Sequence, residues 1–344
     1  MPDRVIPIVP VELPRLFTGT KPHFPSLIDN TMRSDFIQCE RKWMYSFGYQ
    51  LAPSAPSVHL HAGGAFARGL EVARKCFYQD GKTEAESLTR GLEALMQFYG
   101  PVQFPPTRSG DKSLENVIRA FDSYMSRYRL GLDPIKPYIG KDGKAMVEFG
   151  FAIPTEVMHP ETGDPILYGG RSDMIGVMHG LLYVTDEKTT GSLGETWAAQ
   201  WDLDSQFTGY VAAAREHGIP VAGAVVRGIG LLKTKITHAE SIQQRSTWEI
   251  ERWWFQLHRD LRRMVRAYNE GYWDMAISKG ACASYGGCSF LMLCKSNNPE
   301  QWLNQYRKRV WDPLAKDFGE KLLENPKLKE GPSEDLEIDL KDLM

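Results

Sequence analysis

No apolar run in this chain approaches the roughly 20 residues needed to cross a bilayer, so no membrane-spanning helix is expected. The opening stretch MPDRVIPIVP lacks a basic n-region, a continuous apolar core and a small-residue cleavage site. It does not read as a signal peptide, and the expected compartment is the cytoplasm. The phosphate loop G-x-x-x-x-G-K-[ST] is missing, so any unwinding of a duplex would need a partner. Internal repeats and low-complexity tracts are also lacking. Cysteine is scarce, with five in 344 residues. An odd number without an export signal is a poor basis for disulfides. Net charge is only −2, which points neither toward nucleic acid nor away from it.

What is present is ordinary globular material, 42% hydrophobic and 24% charged, enough for one elaborated domain or two. Charge is unevenly spread. Residues 330–344, EGPSEDLEIDLKDLM, carry a net −5 and leave +3 for the rest. This acidic tail, alternating acids with Leu336, Ile338, Leu340 and Leu343, reads as a partner-binding peptide, a competitor for nucleic acid, or a solubilising extension.

Pattern divides the chain into five parts. Residues 1–50 form a Pro-rich arm followed by a helix carrying Cys39, with Ser34 as the expected N-cap. Residues 51–135 begin with the loop-like LAPSAPS. Three amphipathic helices follow, the first opened by Gly63 and Gly64. Residues 136–235 turn β-rich: AMVEFGFAIPTEV, DPILYGGRSDMIGVMHG and LLYVTDEKTT predict a three-stranded meander. A helix ending at Gly218 and a fourth strand, VAGAVVRGIGLL, complete that part. Residues 236–328 are expected to hold a Trp- and Arg-rich helix from Ala239 to about Tyr272, then a cysteine cluster. Residues 329–344 are the tail. The fold class is α+β, a small mixed sheet in a largely helical frame.

The β-rich part carries the chemistry. A hairpin through MHGL can bring Asp173 and Asp186 together at one end of the sheet. Lys188 shares a strand face with Asp186, and Glu187 points the other way. Two carboxylates and a lysine suit Mg²⁺ or Mn²⁺ and a phosphodiester. The cation acidifies a bound water, and the lysine orients that water or offsets transition-state charge. Glu187 can add its backbone carbonyl. For D-x-K alone, a solvated strand end is the better reading; the flanking residues change that. Gln206 and Tyr210, at i and i+4, share one face of the next helix.

The ordered set GGRSDMI, YVTDEKTT and QFTGY, with Glu148 in MVEFGF before it, resembles the RecB-like branch of the PD-(D/E)XK nucleases over about seventy residues. The resemblance implies that Asp173 and Asp186 bind metal, that Lys188 serves the attacking water, and that Gln206 and Tyr210 face the DNA strand. It further implies a metal-dependent exonuclease acting on DNA ends in recombination, repair, phage replication or CRISPR adaptation. One element departs. Where the family has Gly-x-x-x-His upstream, GAFARGLE puts Arg68 at the histidine position, and arginine cannot ligate a metal. Glu71 can supply a carboxylate there, with His61 the weaker substitute, or Arg68 can grip a phosphate. A catalytically silent DNA-binding or assembly subunit is the alternative this departure favours.

CASYGGCSFLMLC spaces Cys282, Cys288 and Cys294 as C-x5-C-x5-C. In iron–sulfur members of the same group, one N-terminal cysteine joins three C-terminal ones around a [4Fe–4S] cluster. The resemblance extends to Ser34, Cys39, Arg41 and Trp43, which makes Cys39 the fourth ligand. The C-terminal spacing departs from the family's common C-x2-C-x5-C. Zinc on the same four residues is the chemical alternative. Reduced cysteines packed as small hydrophobes are the bland one; Cys76 reads as structural. Trp197 and Trp201, just before Gln206, are candidates for stacking on unpaired bases. The tryptophans of residues 247–272 are better explained by core packing.

Overall fold

The computed structural model describes residues 21–54, 57–100, 110–276, 278–283 and 287–315. The expectations for residues 1–20 and for the acidic tail lie outside the described residues. Asp29 caps the first helix, α1 (Asn30–Gln38), its carboxylate accepting from the Met32 amide at 2.7 Å. Ser34 therefore sits inside the helix rather than at its start. The short strand β1 (Leu27–Ile28) precedes it and α2 (Glu40–Trp43) follows. LAPSAPS is not all loop: Leu51–Pro53 form β2. The helix α3 (Val58–Tyr78) is capped by Ser57, so Gly63 and Gly64 lie within it. Next come α4 (Glu84–Tyr99) and α5 (Leu114–Arg127). Thr83 and Glu86 form a capping box at α4, which satisfies amides the helix start leaves unpaired.

The meander is β4 (Val147–Met158), β5 (Pro165–Met178) and β6 (Leu181–Thr190), all antiparallel, with β3 (Lys136–Pro137) before it. The helix α6 (Ser205–Glu216) crosses to β7 (Val221–Leu231), which pairs parallel to β6. The helix predicted from Ala239 starts later. Residues Ile236–Gln244 are β8, antiparallel to β7, and α7 (Thr247–Glu270) begins after a Ser246 cap. Short helices α8 (Lys279–Cys282) and α9 (Leu291–Lys295) precede β9 (Tyr306–Lys308), which pairs with β2. The result is a mixed sheet in a helical frame, as the α+β class requires.

The sheet opens at one place. Leu167 and Tyr168 of β5 pair with β4 on one edge and with β1 on the other. Met174 onward pairs with β4 and β3 on the first edge and β6 on the second. Between β1 and β6, residues 169–173 face no strand on that second edge. Helix α7 packs Ile250, Trp253, Leu257, Leu261 and Met264 into the main core. Helices α3, α4 and α5 share a second core with Ile229 and Leu231 of β7.

Candidate active site

The gap in the β5 edge is where the predicted residues meet. Asp173 stands one residue before the β5–β6 ladder begins at Met174 and Thr185. Its Oδ2 accepts from the Glu187 amide at 2.9 Å, doing the work of a missing backbone partner. Asp173, Asp186, Lys188, Gln206 and Tyr210 line one cleft of about 330 Å³ together with Glu148. The N-terminal turn of α1 forms another wall, and Trp311 to Ala315 a third. Asp204 caps α6 by accepting from the amides of Gln206 and Phe207, which fixes the turn that presents Gln206. Gln206 Nε2 donates to Tyr210 Oη at 2.7 Å. Gly170 has a packing reason: a Cβ there would come within 3.0 Å of Phe151 and 3.2 Å of Tyr210.

The electrostatics are those of a site short of positive charge. Burial pushes the Asp173 carboxyl well above its ordinary range, and Asp186, Glu187 and Glu148 push it further. Asp186 is raised by burial too, although Lys188 pulls it back. Lys188 Nζ lies 2.6 Å from Asp186 Oδ1. That oxygen is buried and outside the geometry of any hydrogen bond. Burial lowers the Lys188 ammonium, but Asp186 and Asp173 more than restore it, so the lysine is a cation. Burial raises the Tyr210 phenol, with Asp186 adding to it, so Tyr210 is a protonated donor. Burial pushes Glu148 up to about 7 against the pull of Arg171 at 2.7 Å, with Glu71 raising it further. Glu148 also has a φ of 62°, a left-handed conformation costing on the order of 1–3 kcal/mol in a non-glycine residue.

Two buried carboxylates, both raised by burial and one raised further by the other, fit a divalent cation, which replaces repulsion with ligation. Among the described residues, no three His, Cys, Asp or Glu side chains are already gathered at metal-holding distance. Two carboxylates completed by water is nonetheless an ordinary Mg²⁺ complement.

The remaining predicted residues fall elsewhere. The Glu187 carboxylate points to the opposite face of β6. There Arg74 donates to both its oxygens, at 3.0 and 2.5 Å, and Tyr124 Oη donates at 2.7 Å. Its side chain is therefore not a metal ligand. Glu71 sits between Arg68 Nη1, at 2.9 Å, and Lys75 Nζ. It is near enough to Glu148 to raise that acid, but it is not part of the cleft wall. His61 donates Nε2–H to the Tyr99 carbonyl at 2.8 Å and belongs to helix packing. Trp197 is buried with its indole over Gly228, so it offers no open stacking face; Trp201 is half-buried beside it. The five cysteines are free and half-buried. Burial pushes the Cys294 thiol up to about 11, and Cys288, Cys39 and Cys282 add to the push against Arg41. The four thiols are thus electrostatic neighbours, brought from both ends of the chain.

Sequence reading missed the groups behind the strand. Arg227 of β7 forms two hydrogen bonds to Asp133, at 2.6 and 2.7 Å, and one to Glu240 at 2.8 Å. It also lies 3.8 Å from the Tyr128 ring centroid. Only the isolated charge in the apolar run VAGAVVRGIGLL hinted at a buried ion pair there.

No curated protein matches the chain. Eight solved chains do. One, from Eubacterium rectale and described as a candidate exonuclease, has 12% identity over 74% of this chain and 87% of its own, with a TM-score of 0.43. Another, called SSO0001, has 14% identity over 59% of this chain and 74% of its own, with a TM-score of 0.26. Both overlays are too loose to bear on residue roles. A family model matches residues 32–295, a span that runs from α1 to α9 and contains every acid and amide of the cleft except Asp29, Asn30 and Asp312. The chain belongs to the PD-(D/E)XK nuclease superfamily.

Proposed function

We propose that this protein is a cytosolic metal-dependent deoxyribonuclease of the RecB-like branch, working as an exonuclease on DNA ends. The observation that carries this reading is the convergence of Asp173, Asp186, Lys188, Gln206 and Tyr210 on one cleft whose two aspartates repel each other. Asp173 and Asp186 hold Mg²⁺ or Mn²⁺. A cation bound there supplies an acidified water and neutralises phosphate charge. Lys188, kept cationic by both aspartates, orients that water and stabilises charge building on the phosphate oxygens. Tyr210, kept protonated, donates to a phosphate oxygen, and Gln206 holds its hydroxyl in place. Arg68, paired with Glu71 and about one-third exposed, meets a flanking phosphate in this reading.

Cys39, Cys282, Cys288 and Cys294 hold a [4Fe–4S] cluster in this reading, with zinc as the chemical alternative. The push of Cys288, Cys39 and Cys282 on the Cys294 thiol supports it. When bound, the group cross-links the α1–α2 junction to α8 and α9, stabilising the frame rather than doing chemistry. The acidic tail serves a protein partner.

A second reading has one observation in its favour. Glu71, the acid nearest the missing histidine, is neutralised by Arg68 and Lys75, as it would be in a silent assembly subunit. Digestion of labelled linear DNA with Mn²⁺ separates the two. Wild type digests and Asp186→Ala does not if the enzyme reading holds; equal digestion, or none by either, sinks it. Anaerobic purification with iron, sulfide and zinc analysis tests the cluster. A colourless protein with stoichiometric zinc refutes iron–sulfur.

A further inference from the structure

A second cavity, of about 390 Å³, opens between the end of β6 and residues 191–201, and it shares Lys188 with the cleft. The two differ in chemistry. The cleft is lined by Asp29, Glu148, Asp173, Asp186 and Asp312. The second cavity has no acid in its lining; Lys188, Thr190, Ser192, Thr196, Gln200 and Trp201 supply ammonium, hydroxyl, amide and indole groups. Its far wall is anchored. Trp197 and Leu193 pack on β7 at Gly228, where a Cβ would fall within 2.5 Å of Trp197 and 2.7 Å of Leu193. Ser241 Oγ donates to the Ala198 carbonyl at 3.0 Å, and Arg245 Nη2 to the Trp201 carbonyl at 2.7 Å. The Trp201 ring lies 5.4 Å from the Phe207 ring, and Lys188 Nζ lies 5.5 Å from the Phe207 ring. Among the described residues, Trp201 Nε1–H is buried without a hydrogen-bond partner.

We infer that this cavity is a subsite for one unpaired nucleotide next to the scissile phosphate. The inference rests on reading the adjoining cleft as the nuclease site. An anionic sugar–phosphate is disfavoured among the five acids and favoured beside Lys188 and the hydroxyls. The volume is that of a small-ligand site and admits one nucleotide, not a duplex. Gln200 then meets the base edge, the open part of the Trp201 ring lies against the base, and the strand enters the cleft past Lys188.

The test is fluorescence anisotropy of a labelled 12-nucleotide single strand in EDTA at low salt, which reads binding without hydrolysis. Thr196 is exposed, so Thr196→Glu places a negative charge in the cavity mouth without disturbing the core. It should raise Kd about five-fold or more, an effect that shrinks as salt is added. Trp201→Phe replaces the indole by a smaller ring and so removes part of that wall; it should raise Kd about three-fold or more. Thr89→Glu, exposed on α4, controls for overall charge and should bind as wild type. Wild-type binding by Thr196→Glu, or equal weakening by Thr89→Glu, overturns the subsite. Mn²⁺-dependent digestion by wild type, measured in parallel, keeps that failure distinct from failure of the nuclease reading.

Discussion

Arg74→Met removes the cation that holds Glu187, the residue between the two working groups of β6. The pair is buried, with 6% and 1% of the side chains exposed, so little solvent screening discounts it. Breaking a buried pair from one side costs about 3–5 kcal/mol, because the remaining charge is left without compensation. An independent route gives a similar size. Burial pushes the Glu187 carboxyl up, but Arg74 and the hydrogen bonds from Arg74 and Tyr124 more than offset it, down to about 2 from 4.5. That difference is worth on the order of 3 kcal/mol at neutral pH. The sign follows from the depressed value: the stabilisation is present above about pH 4.5 and is lost as pH falls toward 2. Urea unfolding followed by tryptophan fluorescence should show the variant about 3–5 kcal/mol less stable at pH 7, with the gap narrowing toward pH 4. Arg74→Met with Glu187→Met should recover a large part of the loss, since an apolar pair leaves no orphan charge. A loss below about 1 kcal/mol, or a double variant no better than the single, would refute the reasoning.

Four further outcomes are expected. Asp173→Asn should reduce Mn²⁺-dependent hydrolysis at least about 100-fold yet raise the melting temperature of the metal-free protein by a few degrees, because it removes a repelled carboxylate. For the same reason metal-free wild type, whose Asp173 and Asp186 are raised, should lose stability as pH rises above about 4, and Mn²⁺ should restore it. Equal melting of Asp173→Asn and wild type without metal would contradict this. Tyr210→Phe should lower kcat about ten-fold with a stability change near 1 kcal/mol, measured by single-turnover digestion and urea unfolding. Gly228→Ala should cost about 1–3 kcal/mol, since Trp197 and Leu193 occupy the space its methyl needs; an unchanged urea midpoint would argue against that packing.

The hairpin, the i, i+4 pair of α6 and the strand that bears Asp186 were legible because each is a local pattern. Alternation put Asp186 and Lys188 on one face of β6 and Glu187 on the other, and there they stand. Edge strand β8 was not legible: ITHAESIQQ is mostly exposed or half-buried, so its period is faint and its residues merged with the following helix. Neither was β1, two residues long and paired with residues 140 positions away. Asp29 displaced Ser34 as the cap because both are good caps and only packing chooses between them. The Arg74 and Tyr124 groups that meet Glu187 lie 113 and 63 positions away, and no spacing rule links them.

The wall formed by Trp311 to Ala315 gives the site a timing. Trp311 Nε1 donates to Asp29 at 3.0 Å, Arg171 Nη1 donates to the Ala315 carbonyl at 2.6 Å, and β9 pairs with β2. Each of these contacts spans more than 140 positions. A chain emerging from the ribosome carries Asp173 and Asp186 early but cannot enclose them until residue 315 is free. The nascent protein is thus a nuclease in residues before it is one in shape, and chains ending before β9 should bind Mn²⁺ and DNA more weakly than the full-length protein.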